Sequence, residues 1–447
     1  MKLSLLSYNR SEFLRVFPPK FKDKLKESII PFKEKLIAKN IANGLYRDLA
    51  DFKYHPSPPR DYIVFNKHNY VSRIVTSFHA KDYFLTYFCC KMLEEEIAKN
   101  RVPGTYGGWR LGNKIRIREE EEDIFFDYEN SISFNSYNPY LWRKNWQNFQ
   151  KKAYQFSISG KYSFFLKFDI ANFYNDINLD ILYKKLLSAT PKQKVQYVEL
   201  LFHFLKNWNK KFEGFSTKTV GLPQDEIGDC SRLLANFYLQ DYDDFMSKFC
   251  KRLGAKYLRY ADDQIMFTDK RETALEILFA ASKELFKIGL DINSSKVDEF
   301  KCKNDFNTYW AFEIFELLKD EKDLPSINKA FKMFLSYRKR GVRFRESSIL
   351  KRLLGVDFTI LKPVYKKQFF TYILEPEFLS NLEWWGLNKI YMKLKPKAKI
   401  NFLRTLDELI DKVNFNSFHY NLRYFYKKNR IEYDERRLND RINKLRI

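Results

Sequence analysis

Apolar and polar residues alternate along the stretch KYLRYADDQIMF. Period-two alternation on both sides of a short polar turn predicts a β-hairpin with Asp262 and Asp263 at its tip. A second apolar stretch, SFFLKFDIANFYNDI, predicts a strand that ends at Asp169. From Ala274 to Ile288 the apolar residues follow a helical period, and Gly289 is placed to end that helix. The pattern therefore predicts an α+β layer, with helices behind a small antiparallel sheet.

The acidic residues in these strands suggest metal chemistry. Adjacent carboxylates repel each other, so one of them normally holds a proton unless a cation lies between them. A divalent metal resolves that conflict, and a third carboxylate completes a two-metal site with ions about 4 Å apart. Asp169 is the candidate for that third carboxylate, beside Asp262 and Asp263. The alternative is a capped turn with exposed aspartates.

The order of motifs along the chain resembles that of the reverse transcriptases. The matching stretches are FDIANFY (motif A), VGLPQ followed by SRLLANFYL (motif B), YADD (motif C), IGLDINSSKV (motif D) and, more weakly, YWAFEIF (motif E, the primer grip). YADD alone recurs by chance, whereas four motifs in this order and spacing are specific. The resemblance implies a polymerase palm that uses dNTPs and makes DNA.

The resemblance also assigns roles at the metal site. It implies that Asp169, Asp262 and Asp263 are the catalytic, metal-binding carboxylates and that the main-chain carbonyl of Ile170 adds a ligand. The implied cofactor is Mg²⁺, with Mn²⁺ as the alternative. One ion would lower the pKa of the attacking hydroxyl, and the other would neutralise the leaving pyrophosphate.

Four further residues match the family's nucleotide-binding positions. Tyr174, five residues after Asp169, matches the aromatic that blocks a ribose 2′-hydroxyl, and Phe173 lies beside it. Gln224 matches the motif B glutamine that lines the nucleotide pocket. Lys296 matches the motif D lysine, a general acid for the departing pyrophosphate. Tyr174 as a palm core residue and Lys296 as a solvent-facing lysine are the alternatives.

A glycine-rich basic stretch, VPGTYGGWRLGNK, precedes the palm. Its YGGWR is similar to the fingers motif of reverse transcriptases related to group II introns and retrons, where a basic strand holds the triphosphate and the template. Arg73 and Arg110 are therefore candidate phosphate contacts, and the alternative for each is a surface arginine. The acidic patch from Arg118 to Glu129 is more typical of a solvated face, and we assign it no chemistry.

These assignments predict a domain order. Residues 1–60 form a basic helical extension that ends at the proline-rich HPSPPR. Residues 61–160 form the fingers, and residues 161–318 form the palm with a helical insertion near 180–211. Residues 319–447 form a basic, all-helical, repeat-like domain in place of a thumb. The fold class is thus α+β fingers and palm followed by an all-α domain.

Composition favours a polyanionic partner. The 447 residues carry a formal net charge of +24 and 18% aromatic residues, which suit phosphate contacts and base stacking. Residues 321–447 alone hold 29 Lys and Arg against 14 Asp and Glu. The five cysteines include no CxxC pair, and we find no membrane-spanning run or secretory signal. We therefore expect a cytoplasmic protein with reduced thiols and no membrane partner.

The sequence departs from the usual reverse transcriptase pattern after Gln224. Acidic residues in DEIGDCSR would repel phosphate unless Arg232 or a metal offsets them. The SRLLANFYL continuation and the helical C-terminus resemble the abortive-infection, or unknown-group, anti-phage reverse transcriptases of bacteria. This resemblance implies a homo-oligomer and untemplated DNA synthesis primed by a protein tyrosine, so that the product is covalently attached. Tyr8 is a candidate for that tyrosine.

Two alternatives remain open at this stage. One is an ordinary RNA-templated reverse transcriptase of retron or group II intron type, which would take RNA as a partner. The other is a non-catalytic nucleic-acid-binding scaffold that keeps a palm fold. Intact Asp169, Asp262, Asp263 and Gln224 disfavour the scaffold. The length of the C-terminal helical segment and the lack of a Cys/His cluster disfavour the ordinary enzyme.

Overall fold

The strand that ends at Asp169 and both strands of the predicted hairpin are neighbours in one sheet. The computed structural model describes residues 9–32, 38–68, 71–112, 115–120, 123–128, 137–209, 221–319, 323–356 and 358–446. The strands of these ranges are β1 (Asp61–His68), β2 (Val71–Ser77), β3 (Thr105–Tyr106), β4 (Ile115–Glu120), β5 (Asp123–Tyr128), β6 (Phe164–Asp169), β7 (Lys256–Tyr260), β8 (Asp263–Thr268) and β9 (Asp298–Phe300).

Helices make up most of the rest of the described chain. They are α1 (Arg10–Arg15), α2 (Pro19–Lys26), α3 (Ala38–Ala50), α4 (Ala80–Met92), α5 (Glu94–Ala98), α6 (Leu141–Ile158), α7 (Phe173–Asp176), α8 (Leu179–Ala189), α9 (Val195–Leu205), α10 (Asp229–Tyr238), α11 (Gln240–Arg252), α12 (Arg271–Lys287), α13 (Lys303–Trp310), α14 (Phe312–Leu317), α15 (Leu324–Lys339), α16 (Glu346–Gly355), α17 (Pro363–Ile373), α18 (Pro376–Ser380), α19 (Trp384–Lys393), α20 (Pro396–Lys412), α21 (Asn416–Asn429) and α22 (Glu435–Lys444). In the described ranges, each helix is too short or too polar to cross a bilayer.

The chain divides into two units. The first, which we call the sheet unit, comprises Met1–Arg60 and Thr76–Lys303. The second, which we call the helical unit, comprises Asp61–Val75 and Asn304–Ile447. The hairpin of β1 and most of β2 therefore groups with the C-terminal helices rather than with the segment that follows it in sequence.

The sheet unit is built around a five-stranded sheet in the order β3-β7-β8-β6-β9. The predicted hairpin is confirmed, since β7 pairs antiparallel with β8 and Tyr260 lies opposite Asp263. β6 pairs antiparallel with β8 on the other side. The predicted helix between motifs C and D is confirmed as α12, and Gly289 follows it with a φ of +75°. Glycine adopts this left-handed conformation without the steric cost of a Cβ atom.

The N-terminal helices belong to the core of the sheet unit. Phe13, Phe17 and Phe21 are at most 2% exposed. They pack against aromatic residues of α4, and the Phe21 ring stacks on that of Tyr87 with centroids 4.1 Å apart. The basic residues of α1 and α2 lie on the solvent-facing side of these helices, opposite the buried aromatic residues. Tyr8, the candidate priming residue, lies outside the described residues.

In the helical unit, β1 is attached to α21 through side chains. The Asn416 side chain accepts a hydrogen bond from Val64 N at 2.7 Å and donates one to Tyr62 O at 2.9 Å. The Asn416 side chain therefore makes one accepted and one donated hydrogen bond with the main chain of β1, as a neighbouring strand would. The buried Asp61 carboxylate accepts hydrogen bonds from Tyr420 Oη at 2.6 Å and Arg446 Nε at 3.0 Å. Polar contacts therefore fix the position of this strand on the helix.

Candidate active site

The Tyr-Ala-Asp-Asp turn lies between β7 and β8. Ala261 has a φ of +53°, an uncommon left-handed conformation for a residue with a Cβ atom. The buried Arg259 guanidinium donates to the Ala261 carbonyl at 2.7 Å and to Asn236 Oδ1 at 2.9 Å. It also forms a buried ion pair with Asp243. Arg259 therefore supports the turn from beneath and fixes its conformation.

Asp169, Asp262 and Asp263 are brought together, and we call them the carboxylate triad. Asp169 is the last residue of β6 and lies directly opposite Asp263 in the register of β6 and β8. Asp262 immediately precedes Asp263 in the turn. Burial, followed by the charges of Asp169 and Asp263, raises the pKa of Asp262 to about 7. Mutual repulsion among the three carboxylates is the electrostatic state expected of a cation-binding site.

Two lysines contact the carboxylate triad. Lys296 Nζ pairs with Asp169, which is almost fully buried. Lys167 Nζ lies 3.0 Å from Asp263 Oδ1, and the Lys167 side chain is only 9% exposed. Lys167 precedes Asp169 by two residues in β6, so both side chains emerge on the same face of the sheet. The ammonium groups offset part of the negative charge of the triad.

The donor chemistry of the triad suits a hard divalent cation. Mg²⁺ prefers carboxylate and carbonyl oxygens, and the triad with the Ile170 carbonyl offers both kinds of ligand. As the side chains are placed, no three acidic, His or Cys groups of the described residues surround an ion position. Because Lys167 and Lys296 contact the same carboxylates, a cation would exchange with these ammonium groups when it binds.

The motif D segment holds the end of β6. Asn293 N donates to the Asp169 carbonyl, and Ala171 N donates to the Asp291 carbonyl, each at 2.8 Å. Lys296 follows in a short 3-10 turn, Ser294–Lys296, which places it beside Asp169. These bonds connect motif D to motif A and determine where Lys296 meets the triad.

The two aromatic candidates in motif A lie in different surroundings. Asn172, with a φ of +42°, turns the chain into α7. Phe173 is 4% exposed and belongs to the apolar core of the sheet unit. Tyr174 is half-buried, and burial raises the pKa of its hydroxyl while Arg232 opposes the rise and Asp262 adds to it. Tyr174 is therefore within electrostatic reach of the triad. The roles of both residues in binding nucleotide stay predictions.

Gly221 brings the motif B loop against motif A. A Cβ atom at Gly221 would lie 2.2 Å from the Tyr174 carbonyl oxygen and 2.6 Å from that of Asn175. Only glycine permits this approach, in which Leu222 N donates to the Tyr174 carbonyl at 2.9 Å. The half-buried Gln224 follows on the same loop. Val220, the first residue of this motif, lies outside the described residues.

The acidic residues after Gln224 (Asp225, Glu226 and Asp229), which we call the loop acids, each have their own donors. Asp225 accepts hydrogen bonds from Ile227 N at 2.9 Å and Gly228 N at 2.8 Å. Burial raises its pKa to about 6, and these bonds oppose the rise. Asp229 pairs with Arg232 and accepts a hydrogen bond from the Tyr137 hydroxyl. Arg232 therefore offsets one of these charges, as the sequence allowed.

Glu226 connects the motif B loop to the N-terminal segment. Its carboxylate accepts hydrogen bonds from Ser28 Oγ at 2.8 Å, Ile29 N at 3.1 Å and Ser77 Oγ at 2.7 Å. Arg60 lies 3.9 Å away and itself donates to Ser77 Oγ at 2.8 Å. Burial raises the pKa of Glu226, and the hydroxyl donors and Arg60 oppose the rise. Glu226 is therefore an organising residue of the loop that carries Gln224.

The main chain of this loop is also paired. Thr76 N donates to the Gln224 carbonyl at 2.6 Å, and Glu226 N donates to the Thr76 carbonyl at 3.2 Å. This bridge fixes the backbone on both sides of Asp225. The position of Gln224 therefore depends on Thr76 and Ser77 as well as on its own loop.

The two candidate arginines belong to different units. Arg110, 9% exposed, lies in the sheet unit. Its loop is fixed by the fully buried Glu94, which accepts from Leu111 N at 2.7 Å and pairs with Lys91. Arg73 is exposed on β2 in the helical unit. Phosphate contact by either residue stays a prediction. The acidic patch from Arg118 to Glu129 falls on β4 and β5, and its side chains lie outside the described residues.

Sequence reasoning missed three residues that build this site. Lys167 lies in the apolar strand β6, and its position two residues before Asp169 places it on the same face. Arg259 is a fully buried charge within β7. Arg60 stood in a proline-rich stretch that the sequence marked only as a boundary. The signal for Lys167 and Arg259 was a charge within an apolar strand, and Arg60 gave no local signal.

Comparison with known proteins agrees with these motifs. Residues 115–333 match the family of reverse transcriptases (RNA-dependent DNA polymerases). The chain is 25% identical over 232 residues to the retron Ec83 reverse transcriptase of Escherichia coli, a match that covers 49% of this chain and 65% of that protein. The chain thus spans just under two thirds of this curated relative.

Solved structures with similarity to the chain include two yeast telomerases. The apo telomerase of Candida tropicalis, truncated from its C-terminal domain, is 13% identical with a TM-score of 0.33, over 59% of this chain and 55% of that one. The telomerase of Candida albicans in complex with a telomeric RNA fragment is 10% identical with a TM-score of 0.35, over 90% of this chain and 67% of that one.

The family match contains the carboxylate triad, the motif B loop and Lys296. The triad lies where β6 and the β7–β8 hairpin meet, and the motif B loop lies against motif A. Residues 115–333 are therefore similar to the reverse transcriptase (RNA-dependent DNA polymerase) family, and the candidate site lies within that segment.

Proposed function

We propose that this protein polymerises DNA from dNTPs by nucleotidyl transfer at the carboxylate triad. The observation that carries the proposal is the placement of Asp169 opposite Asp263, with Asp262 beside them, inside a reverse transcriptase domain. Mg²⁺ or Mn²⁺, bound by these carboxylates and the Ile170 carbonyl, would activate the attacking hydroxyl and neutralise the pyrophosphate.

The chain's own residues then have separate tasks. Lys296 contacts Asp169 and is half-exposed, so its ammonium is placed to give a proton to the departing pyrophosphate. Tyr174, held against the Gly221 backbone, is placed to exclude a ribose 2′-hydroxyl and so to select dNTPs. Gln224 lines the nucleotide pocket from the motif B loop, and Arg110 contacts phosphate.

We further propose that synthesis begins on a tyrosine of the protein, needs no supplied template and serves anti-phage abortive infection. This part rests on the resemblance of the SRLLANFYL stretch and of the basic helical C-terminal segment to the abortive-infection reverse transcriptases. In the described part of residues 304–446, the secondary structure consists of helices joined by turns and coil. Such a segment would take the place of a thumb.

A second candidate is RNA-templated synthesis from a nucleic-acid primer. The observation in its favour is the 25% identity to a retron reverse transcriptase. The two candidates share the triad and differ in what supplies the first hydroxyl and the template.

One experiment separates them. The purified protein is incubated with Mg²⁺ and labelled dNTPs, without template or primer, and the products are run on denaturing gels before and after protease digestion. Protease-sensitive DNA of high mass, absent from an Asp262→Ala/Asp263→Ala variant, supports protein-primed synthesis. Product that appears only with an RNA template and annealed primer supports the second candidate. Silence under both conditions, with Mg²⁺ or Mn²⁺, contradicts both and favours the scaffold alternative.

The same gels test the priming residue. A Tyr8→Phe variant should yield no covalent product if Tyr8 is the primer, while elongation of a supplied primer should be unchanged. Covalent product from that variant would assign priming to another tyrosine.

A further inference from the structure

Helix α12 has two apolar faces. One face packs against β6, β8 and α11, and its fully buried residues are Ala274, Ile277, Ala281 and Leu285. The other face points away from this core. Its apolar residues are Leu275, Phe279 and Phe286, which are 36%, 68% and 75% exposed. A single exposed apolar residue is ordinary, but three on one side of a helix form a stripe about 16 Å long.

The charges beside this stripe have a palindromic order. Glu272 and Glu276 lie in the first half of the helix, and Lys283 and Lys287 lie in the second half; all four are exposed. The midpoint between residues 272 and 287 lies just after Phe279. The midpoint between residues 276 and 283 is the same point. At 100° per residue the four side chains fall within about 60° of one another, along one edge of the stripe.

This order complements itself under a two-fold axis. If a second α12 lay antiparallel across the first with the axis near Phe279, each glutamate would face a lysine of the other copy. A two-fold axis relates the same edge of both helices, so the two charged edges would meet each other. Lys287 also contacts Glu284 of its own helix at 2.5 Å, but an exposed pair of this kind contributes little and can exchange.

We propose that α12 is a self-association surface, on which a second copy of this chain docks with its own α12 antiparallel to the first. Phe279 of each copy lies near the axis, where two aromatic side chains pack together and leave water. Leu275 of one copy then lies beside Phe286 of the other. The helices pack as in antiparallel bundles, about 8–10 Å apart.

The same features disfavour a polyanionic partner at this surface. Two glutamates and two lysines leave the edge with no net charge, although the whole chain carries +24. Nucleic acid would instead select a surplus of lysine and arginine. The proposal does not depend on polymerase activity.

Sedimentation velocity of the full chain, from about 1 to about 100 μM, tests the proposal. We expect the wild type to pass from monomer to dimer over this range, and a Phe279→Glu variant to bind itself at least about tenfold more weakly. Ile400→Glu is the matched control, because Ile400 is a 64% exposed apolar residue on α20. Circular dichroism establishes that both variants stay folded. A wild type that remains monomeric, or a dimer that Phe279→Glu leaves unchanged, overturns the proposal.

Charge reversal tests the antiparallel arrangement itself. The E272K/E276K variant has only lysines along the edge, and the K283E/K287E variant has only glutamates, so each should dimerise more weakly alone. A mixture of the two should form a heterodimer at least as readily as the wild type forms its homodimer, and added NaCl should weaken it. If the mixture associates no better than either variant alone, the antiparallel arrangement is wrong.

Discussion

The sheet unit contains two groups of three acidic residues that look alike in sequence and differ in their surroundings. In the carboxylate triad the side chains face one another, and burial, followed by the charges of Asp169 and Asp263, raises the pKa of Asp262 to about 7. In the loop acids each carboxylate has its own donors, from backbone amides, serine hydroxyls or arginine. The triad keeps negative charge that Lys167 and Lys296 offset only in part, whereas each of the loop acids is bound by donors of its own.

This difference distinguishes carboxylates that can bind a cation from carboxylates that stabilise the fold. A carboxylate whose acceptors are already filled by internal donors gains little from a cation, and its removal exposes unpaired donors. A carboxylate that repels its neighbours gains much from a cation, and its removal relieves strain. Acidic residues in the same unit can therefore be sorted by the effect of their loss on stability. The predictions below use that criterion.

The largest effect is expected from Asp262→Ala combined with Asp263→Ala. Nucleotide incorporation should fall by at least about 1000-fold, because two of the three carboxylates for the cations are lost. The melting temperature should change little, because the relief of like-charge repulsion offsets the loss of the pair between Lys167 and Asp263. The measurements are primer extension and differential scanning calorimetry. Asp269→Ala, just beyond the other end of β8, is the control and should keep both properties; a large drop in the melting temperature of the double variant would contradict the comparison.

Glu226→Ala should show the opposite behaviour. Loss of this carboxylate removes the shared acceptor of Ser28, Ile29 and Ser77 and the ion-pair partner of Arg60, which should lower the free energy of unfolding by about 2–4 kcal/mol. Urea unfolding measures the loss, and Glu226→Gln should lose less because an amide oxygen still accepts hydrogen bonds.

Glu96→Ala is the matched control for Glu226→Ala, since Glu96 is 11% exposed and pairs with Lys194 at 2.7 Å. The KM for dNTP should rise in Glu226→Ala and not in Glu96→Ala, because only the first change loosens the Gln224 loop. Unchanged unfolding together with abolished incorporation would place Glu226 among the catalytic groups instead.

The titration of Asp262 gives a third, smaller effect. The folded-state pKa of about 7 lies above the ordinary value of 3.8, so the folded protein holds this proton more tightly than the unfolded chain. Stability should therefore fall as the pH rises from about 4 to about 7, and stay level above that. In metal-free buffer, Asp262→Asn should remove this loss and gain on the order of 1–2 kcal/mol over the wild type at pH 8. A difference that does not change between pH 4 and pH 8 would refute the raised pKa.

The smallest effect is expected at Lys167. Its ammonium competes with a cation for Asp263, so Lys167→Met should tighten Mn²⁺ binding about fivefold, or about 1 kcal/mol. Electron paramagnetic resonance of Mn²⁺ measures this binding without any turnover. Lys185→Met removes a comparable pair with Asp241 and should leave Mn²⁺ binding unchanged. Weaker binding in Lys167→Met would mean that the lysine orients Asp263 for the cation.

The parts that could be predicted from the sequence depend on local pattern. The hairpin, the strand that ends at Asp169 and the helix that ends before Gly289 follow from alternation or helical period within a few residues. The structure confirms these three elements. Asp169 could be predicted to lie beside Asp262 and Asp263, because it ends an apolar strand and the order of motifs resembles a known family.

The parts that could not be predicted depend on contacts between distant segments. The sequence predicts that the loop acids repel phosphate unless Arg232 or a metal offsets them. It does not indicate the donors to Glu226, which lie as far as 198 residues away. Lys167 and Asp263 come together only through the pairing of β6 with β8. The place of β1 in the helical unit depends on Asn416, 352 residues later in the chain. Composition and periodicity carry no information on such pairings.

The attachment of β1 to α21 has a consequence for how the protein is made. A ribosome adds about 5–20 residues per second, so the 352 residues between Val64 and Asn416 take roughly 20–70 s to synthesise. During that interval the polar edge of β1 and the carboxylate of Asp61 have no access to the side chains that later contact them. Until the last helices emerge, the nascent β1–β2 segment therefore lacks these contacts and stays solvated or bound to a chaperone.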